Sequence, residues 1–556
     1  MKTKISIGMA LALACMGGWS VTLAADPPPD AARVLGSQLE RTGERNRDLQ
    51  SYYKYSQYKD IVPQKTEVAV EKEKEGSGAG EVLQFDVKEI RVTQSALLTP
   101  DEVRKAVHFK GPGPMTVEEL QAIVSRLNAL YEEKGIATAQ AVLPPQTVTD
   151  GVVYIRLIEG RYGDAIVEGN KRVHTDSILS RIKIQKGELT SIDELQDQLR
   201  VYNNTNTWQI QAELIPGKEQ GTSDVRLVLH EPENPWTSFL FTDNAGQKES
   251  GRYRIGAYTE LRGIGGVDAS LAVAPVWTEG TWGGSVIYDT PIGTHGTRMT
   301  ASYSRNIVNI IDGAFKDFDM KSNSNDMSLT ITQPLNITDL SKVDFFIEGH
   351  RKWSDTVYSG MELADNSART VKTGVNFRSF DANGLWFGMV SVTGFEANNN
   401  FAGTKSGGSY YNAYLMRRQN LPGDRYLMYR LMGQHTAFEQ IPSTEQFSIG
   451  GMATVRGYKE GLLSGDEGWY ASMEYGIPVS ADHRTWRSFL FLDHGVVYSN
   501  YSVTGTQKDY ITSTGIGFEY AKGGWYGKAV LGIPLKDSGN MGDNDVRVHF
   551  YVQRNI

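Results

Sequence analysis

The stretch Val546-Arg547-Val548-His549-Phe550-Tyr551-Val552-Gln553-Arg554-Asn555-Ile556 sets apolar and polar side chains at alternate positions. Val546, Val548, Phe550, Val552 and Ile556 share one face, while Arg547, His549, Tyr551, Gln553 and Asn555 share the other. A period of two is the pattern of a β-strand with one apolar face. Arg554 interrupts the apolar face, which is tolerable only where its long side chain can reach an interface. The alternation recurs upstream. Val371, Thr373, Val375 and Phe377 interleave with Lys372, Gly374, Asn376 and Arg378, and Leu427, Tyr429 and Leu431 interleave with Met428, Arg430 and Met432. Across the 320 residues from 237 to 556, helical periodicity is almost absent.

A soluble β-sandwich also alternates, but 320 residues exceed an ordinary sandwich. A transmembrane barrel asks for strands of roughly 9 to 11 residues, outward apolar faces and aromatic girdles. Eight of the ten tryptophans lie at or after Trp236, which supplies girdle material. At roughly 20 residues per strand and turn, the region holds about 16 strands. Residues 234–556 are therefore read as an antiparallel transmembrane β-barrel, and the chain as mainly β. Composition agrees: 58 glycines and 27 tyrosines suit strands and turns, and a mean hydropathy of −0.37 is too polar for a bundle of membrane helices. A net charge of −8 argues against a nucleic-acid partner. One cysteine, Cys15, excludes a disulfide framework and any cysteine-based metal site.

The beginning of the chain reads as a secretory signal peptide over residues 1–25. Lys2 and Lys4 precede an uncharged run, and small residues precede Asp26-Pro27-Pro28-Pro29. A membrane anchor and lipidation at Cys15 are weaker readings. Residues 26–58 follow as a helix in which Leu35, Leu39 and Leu49 are scattered among charges. A helix polar all round sits in water or in a polar cavity. The lumen of a wide barrel is such a cavity, so the segment is expected to act as a plug. Residues 59–83, with Glu71-Lys72-Glu73-Lys74-Glu75-Gly76-Ser77-Gly78, read as a flexible linker.

Between linker and barrel the order β-α-α-β-β occurs twice, over residues 84–160 and 161–233. In the first unit Phe85 to Val92 is strand-like, and Thr99–Glu102 and Thr116–Glu119 are capping boxes. The second box opens a helix with Leu120, Ile123, Val124, Leu127, Leu130 and Tyr131 on one face. In the second unit Thr175 caps a short helix and Ser191–Glu194 is a third box. Two units of like order and length are an internal repeat.

Signal, lone helix, linker, two small α+β units and a C-terminal barrel together resemble the transporters of two-partner secretion. These TpsB proteins are relatives of the haemolysin activators, the filamentous haemagglutinin transporter and CdiB, and their small units are POTRA domains. Two motifs carry the resemblance: Gly450-Gly451 followed by Val455-Arg456-Gly457-Tyr458, and Phe491-Leu492-Asp493-His494-Gly495. Arg456 and Asp493 stand 37 residues apart inside the β region. The resemblance implies that the first motif lies on an outer loop folded back into the lumen, and that Arg456 reaches Asp493 on the inner wall. Local alternation agrees. Leu490, Leu492, Val496 and Tyr498 are expected to face lipid and Phe491, Asp493 and Gly495 the lumen, with His494 on the outer face near an interface.

Nothing points to catalysis or to a cofactor. The nine histidines form no metal-like pair, no Gly-x-Ser-x-Gly occurs, and Gly523 to Ala529 lacks the residues of a phosphate loop. The resemblance implies a non-enzymatic protein of a Gram-negative outer membrane, embedded in its lipid. Its POTRA units would lie in the periplasm and would hold the N-terminal secretion domain of a large exoprotein, an adhesin, haemolysin or contact-dependent toxin. A barrel-assembly insertase of the same superfamily is the alternative.

Overall fold

The computed structural model describes residues 68–70, 84–136, 138–219, 221–400, 403–437, 441–501, 505–536 and 545–556. The expected signal peptide (1–25), the expected plug helix (26–58) and all of the expected linker but residues 68–70 lie outside them.

The first α+β unit holds β2 (Gln84–Val87), β3 (Glu89–Val92), α1 (Pro100–Val107), β4 (Gly113–Thr116), α2 (Val117–Glu133), β5 (Ala139–Val142) and β6 (Val152–Glu159). The residues expected as one strand from Phe85 to Val92 form two. The break falls at Lys88, where the backbone N–H groups of Lys88 and Glu89 both reach the Gly151 carbonyl. Each half then takes its own partner: β2 pairs antiparallel with β4 and β3 parallel with β6. Both capping boxes form, at Thr99 and Thr116. On α2, Leu120, Ile123, Leu127 and Tyr131 are buried in the unit's core, with Val124 and Leu130 on its flanks.

A half-buried carboxylate ties down the start of α1. Glu159 accepts from the Ser95 hydroxyl, the Ala96 and Leu97 N–H groups at 2.8 and 3.2 Å, and the Tyr131 hydroxyl at 3.1 Å. Burial raises its pKa, but these four donors outweigh burial and hold it below 4.5. A depressed carboxylate contributes stability at pH values above its unfolded pKa and loses it as pH falls through the folded one. Glu159→Ala should speed amide exchange at Ala96 and Leu97 by at least about tenfold at pH 7, since a hydrogen bond to a charged group is worth roughly 1.5–3 kcal/mol. In the unmutated chain the same protection should fade below pH 4.5. Unchanged exchange in the variant would show that the turn holds without Glu159.

The second unit holds β7 (Arg161–Glu168), α3 (Thr175–Leu179), α4 (Ile192–Thr205), β8 (Ile210–Pro216) and β9 (Thr222–Leu229). Ser191 caps α4 by accepting from the Glu194 N–H at 3.2 Å. Thr175 is not the cap of α3. His174 holds that position, and Thr175 is the first helical residue, its hydroxyl accepting from Asn170 at 3.1 Å. One feature of the linker was invisible in its composition: Val68–Val70 form β1, which adds in parallel to the β8 edge and gives the sheet order β1-β8-β9-β7.

The remaining chain closes a barrel of sixteen antiparallel strands. They are β10 (Trp236–Asp243), β11 (Arg254–Arg262), β12 (Ser270–Trp277), β13 (Thr281–Pro291), β14 (Arg298–Asn309), β15 (Lys321–Ile337), β16 (Ser341–Tyr358) and β17 (Met361–Asp381). They continue through β18 (Gly384–Asn399), β19 (Thr404–Leu421) and β20 (Arg425–Thr436). A long loop carrying β21 (Phe447–Ile449) and β22 (Leu463–Gly465) intervenes. Then come β23 (Glu467–Pro478), β24 (Trp486–Tyr501), β25 (Gly505–Lys522), β26 (Trp525–Pro534) and β27 (Arg547–Asn555).

Closure is made by β27 on β10, where Phe239–Asp243 meet Tyr551–Asn555 and the Ile556 N–H donates to the Ser238 carbonyl at 2.9 Å. On β27 the apolar face is outward, with Val546, Val548 and Ile556 more than half exposed, while His549, Tyr551 and Gln553 are buried inside. Arg554 on the outer face stacks on Trp525 at 5.2 Å and donates to the Gly523 carbonyl, so its charge sits at the rim. Gly523 and Gly524 form the β25–β26 turn, and no phosphate-loop geometry arises there. The inner wall is polar, with Ser304, Asn306, Ser328, Thr356, Thr370 and Ser391 among its buried residues.

The chain enters the barrel at Trp236, directly after the second unit, and that unit docks on the entry-end turns. Arg298 donates to the Thr205 carbonyl at the end of α4 at 2.8 Å, and Asp268 accepts from the Thr207 N–H at 2.6 Å. Arg200 meets Asp339 at 2.8 Å and Arg378 meets Asn204 at 3.1 Å.

Candidate functional site

The loop between β20 and β23 leaves the far end of the barrel and folds back inside it. Its hairpin β21–β22 pairs only with itself among the described strands. In the connection between its two strands, Val455, Arg456 and Tyr458 are wholly buried against the inner wall. The two sequence motifs meet here through Arg456 and the inward Phe491, Asp493 and Gly495, while Leu492 and His494 of the second motif face outward.

Arg456 stands at the centre. Its backbone N–H donates to Asp493 Oδ2 at 3.0 Å, its Nε to the same oxygen at 2.8 Å and one Nη to Oδ1 at 2.9 Å. The other Nη donates to Glu474 Oε2 at 2.8 Å, and the Nη on Asp493 also donates to Ser472 Oγ at 3.2 Å. The guanidinium carbon lies 3.8 Å from the centre of the Phe491 ring. A planar fork of donors suits two carboxylates and an aromatic face at once, which the point charge of a lysine does not. Arg456, Glu474 and Asp493 all have no exposed side-chain surface. Around them, Arg430 reaches the same Ser472 hydroxyl at 3.2 Å, and Tyr426 donates to Glu474 at 2.8 Å.

The glycines make room. Gly457 has φ +102° and lies against Gly532 of β26: a Cβ at 532 would stand 2.5 Å from Gly457 N and 2.6 Å from its Cα. Gly451 has φ +101°, and a Cβ there would overlap the Glu460 carboxylate. That carboxylate accepts from the Met452 N–H at 2.7 Å and shapes the turn after Gly450. On β24 a Cβ at Gly495 would press on Ile449 and Val455 at 2.9 and 3.1 Å. The Tyr458 hydroxyl lies 2.8 Å from the carbonyls of Thr512 and Lys536, which fastens the tip to β25 and to the end of β26.

Outward positions on β24 follow the alternation. Leu490 and Leu492 are about half exposed. Val496 also points outward but is covered by its cross-strand neighbours Trp469 and Tyr510. His494 lies between the same two rings, at 5.2 and 5.9 Å, and meets the Thr512 hydroxyl at 2.7 Å.

Sequence reasoning missed three parts of the site. Glu474 is one, although it sits on the inward phase of β23, where Tyr470, Ser472 and Glu474 alternate with the more exposed Trp469, Ala471 and Met473. Gly532 is another, and no local signal marks it. The third is a second anchor at the foot of the loop. Glu445 is buried, takes Lys352 of β16 at 2.6 Å and Tyr410 of β19 at 2.7 Å, and its backbone carbonyl accepts from Gln434 at 2.9 Å. The loop therefore bridges the lumen, with its foot on β16–β20 and its tip on β23–β26. Among the described residues no cluster of His, Cys, Asp and Glu is placed to hold a metal ion.

The sequence profile of the haemolysin secretion/activation protein ShlB/FhaC/HecB matches residues 221–520, more than half of the chain, and that of the ShlB-type POTRA domain matches residues 85–160. The chain is 24% identical to the heme/hemopexin transporter protein HuxB of Haemophilus influenzae over 405 residues, 69% of this chain and 70% of that protein. Its fold is similar to that of CdiB from Escherichia coli, with a TM-score of 0.66 at 18% identity, covering 96% of this chain and all of the other. It is more distantly similar to BamA from Haemophilus ducreyi, with a TM-score of 0.53 at 13% identity, over 85% of this chain and all of that one.

Proposed function

The chain belongs to the haemolysin secretion/activation family ShlB/FhaC/HecB, and from that premise we propose how its parts divide the work of an outer-membrane translocator in two-partner secretion. The observation that carries the reading is the lumenal loop fastened by Arg456 to the wall of a sixteen-strand barrel behind two POTRA-like units. The two units face the periplasm and hold the N-terminal secretion domain of a large unfolded exoprotein. Their sheets offer strand edges for β-augmentation: β3 and β5 are the outer strands in the first unit. In the second unit β1 already covers the β8 edge, so β7 is its other outer strand.

Arg456, Asp493 and Glu474 form the latch of the lumenal loop, with Gly450, Gly451, Val455, Gly457, Tyr458, Phe491 and Gly495 shaping its seat. Transport needs no nucleotide or metal in this reading; folding of the exoprotein outside removes the unfolded form and biases its passage. The insertase alternative is the weaker reading, since a ShlB-type profile matches the first unit. Deleting the gene and comparing surface-shaved proteins and culture supernatant by mass spectrometry tests the assignment. One very large exoprotein should vanish while other barrels stay at normal levels. A broad loss of outer-membrane barrels would instead establish the insertase.

The polar helix expected over residues 26–58 is the plug in this scheme. Its charges ask for a polar cavity. A chain lacking residues 31–58 should show larger or more persistent open currents in planar bilayers while still secreting. Equal conductance would remove the plug from the scheme.

A further inference from the structure

From a different part of the molecule we infer a binding site for a phosphorylated glycolipid of the outer leaflet on the lipid-facing wall, built from Arg351 of β16, Arg369 of β17 and Lys405 of β19. The phase of the strands puts these residues outside. Arg351 lies between His350 and Lys352, whose side chains face the lumen, and it pairs across the sheet with Met327, which is half exposed. Arg351 stands directly opposite Arg369, and Arg369 opposite Glu396. All four charged side chains are exposed, and no hydrogen bond or ion pair joins Arg351, Arg369 or Lys405 to another described residue. Two arginines placed directly across from each other repel. Three cations against Glu396 leave a local charge of about +2 that the protein does not neutralise.

The level of the cluster in the wall identifies what neutralises it. Outward positions on β17 run Arg369, Val371, Thr373, Val375, Phe377, Ser379. Ten residues at about 3.3 Å, tilted roughly 40°, rise about 25 Å, which is the height of a barrel's apolar band. The lower limit is marked by Trp386, opposite Ser379, and the upper by Tyr303 and Trp353, whose rings lie 6.4 Å apart. Arg351 and Arg369 thus stand at the far headgroup level. Together with Glu396, Asn398, Ser367 and Lys405 they line a cleft of about 620 Å³.

One outward step toward the bilayer centre, Gly349 and Gly394 flank Val371, and a Cβ on either glycine would meet nothing within 4 Å. The wall is dented there and continues upward into the basic cleft. A dent under a cationic cleft fits an amphiphile with acyl chains below and phosphate above, and arginine is the residue suited to bidentate phosphate contact.

The site rests on the membrane orientation proposed above, so it is tested on purified full-length chain, where no secretion is needed. Bisphosphorylated lipid A is the probe, with its dephosphorylated form and inorganic phosphate as controls. Lipid A should raise the thermal unfolding temperature, and neither control should do so at the same concentration. Arg351→Gln with Arg369→Gln should lower co-purified lipid A at least about tenfold, as expected when two charge-assisted contacts are lost. Glu396→Gln removes the one carboxylate and should raise retention, which keeps the test decisive where the double variant folds poorly. Equal stabilisation by dephosphorylated lipid, or by inorganic phosphate, overturns the site, as does undiminished lipid A on the double variant. A chain that passes this test but secretes nothing would leave the site standing and refute the translocator.

Discussion

Arg456→Ala is expected to reduce surface delivery of the exoprotein at least tenfold while the barrel still inserts and keeps its heat-modifiable mobility. The substitution leaves the backbone N–H on Asp493 but removes four side-chain hydrogen bonds, two to Asp493, one to Glu474 and one to Ser472. Two carboxylates with no exposed surface then face each other's field without their shared cation. Breaking a buried pair from one side typically costs about 3–5 kcal/mol. At 1.4 kcal/mol per tenfold, that shifts the docked loop toward release by roughly a hundredfold or more. The foot of the loop, fixed through Glu445 to Lys352 and Tyr410, remains, so the tip and not the whole loop should come free. Protease added outside cells should then cut near residues 450–462 in the variant and spare the unmutated chain. Arg456→Lys should fall between the two, because one ammonium reaches one carboxylate at a time. Normal secretion by Arg456→Ala would show that the docked tip has no part in transport.

The barrel was legible because its physics is local. A strand with lipid on one side and a wet lumen on the other must alternate, and Val371 to Phe377 and Val546 to Ile556 do so without help from distant residues. Capping boxes at Thr99 and Thr116 were legible for the same reason: donor and acceptor are three residues apart. Less was visible where partners are remote. The split of Phe85–Val92 depends on Gly151, more than fifty residues on, and β1 exists only because β8 offers it an edge. The same divide runs through the site. Arg456 and Asp493 were found through motifs; Glu474 sat in a readable alternation that was not read, and Lys352 belongs to a strand about a hundred residues before the arginine. A ring-closed sheet brings such residues together through register, which no window of sequence contains.

Gly532→Val separates the seat of the loop from its charges. The glycine faces the lumen on β26, between the outward Leu531 and Ile533, and its missing Cβ is the space that Gly457 occupies. A valine there adds a branched side chain to a strand, which the strand itself favours, so the barrel wall should hold. The loop tip cannot: its backbone would have to withdraw by about 1 Å or more from a contact of 2.5 Å, and hydrogen bonds to Asp493 weaken steeply over such a shift. The variant changes no residue of the loop and no charge, yet should reproduce the protease sensitivity and the secretion defect of Arg456→Ala. Gly527→Val on the same strand is the control, since its Cβ would meet nothing closer than 3.9 Å. Two changes that release one loop should not add. Gly532→Val combined with Arg456→Ala should therefore secrete no less than Arg456→Ala alone, the coupling expected of groups that share one interaction. Additive losses in the double variant would mean that Gly532 acts through the wall and not through the loop, and full secretion by Gly532→Val alone would mean that the tip need not be seated at all.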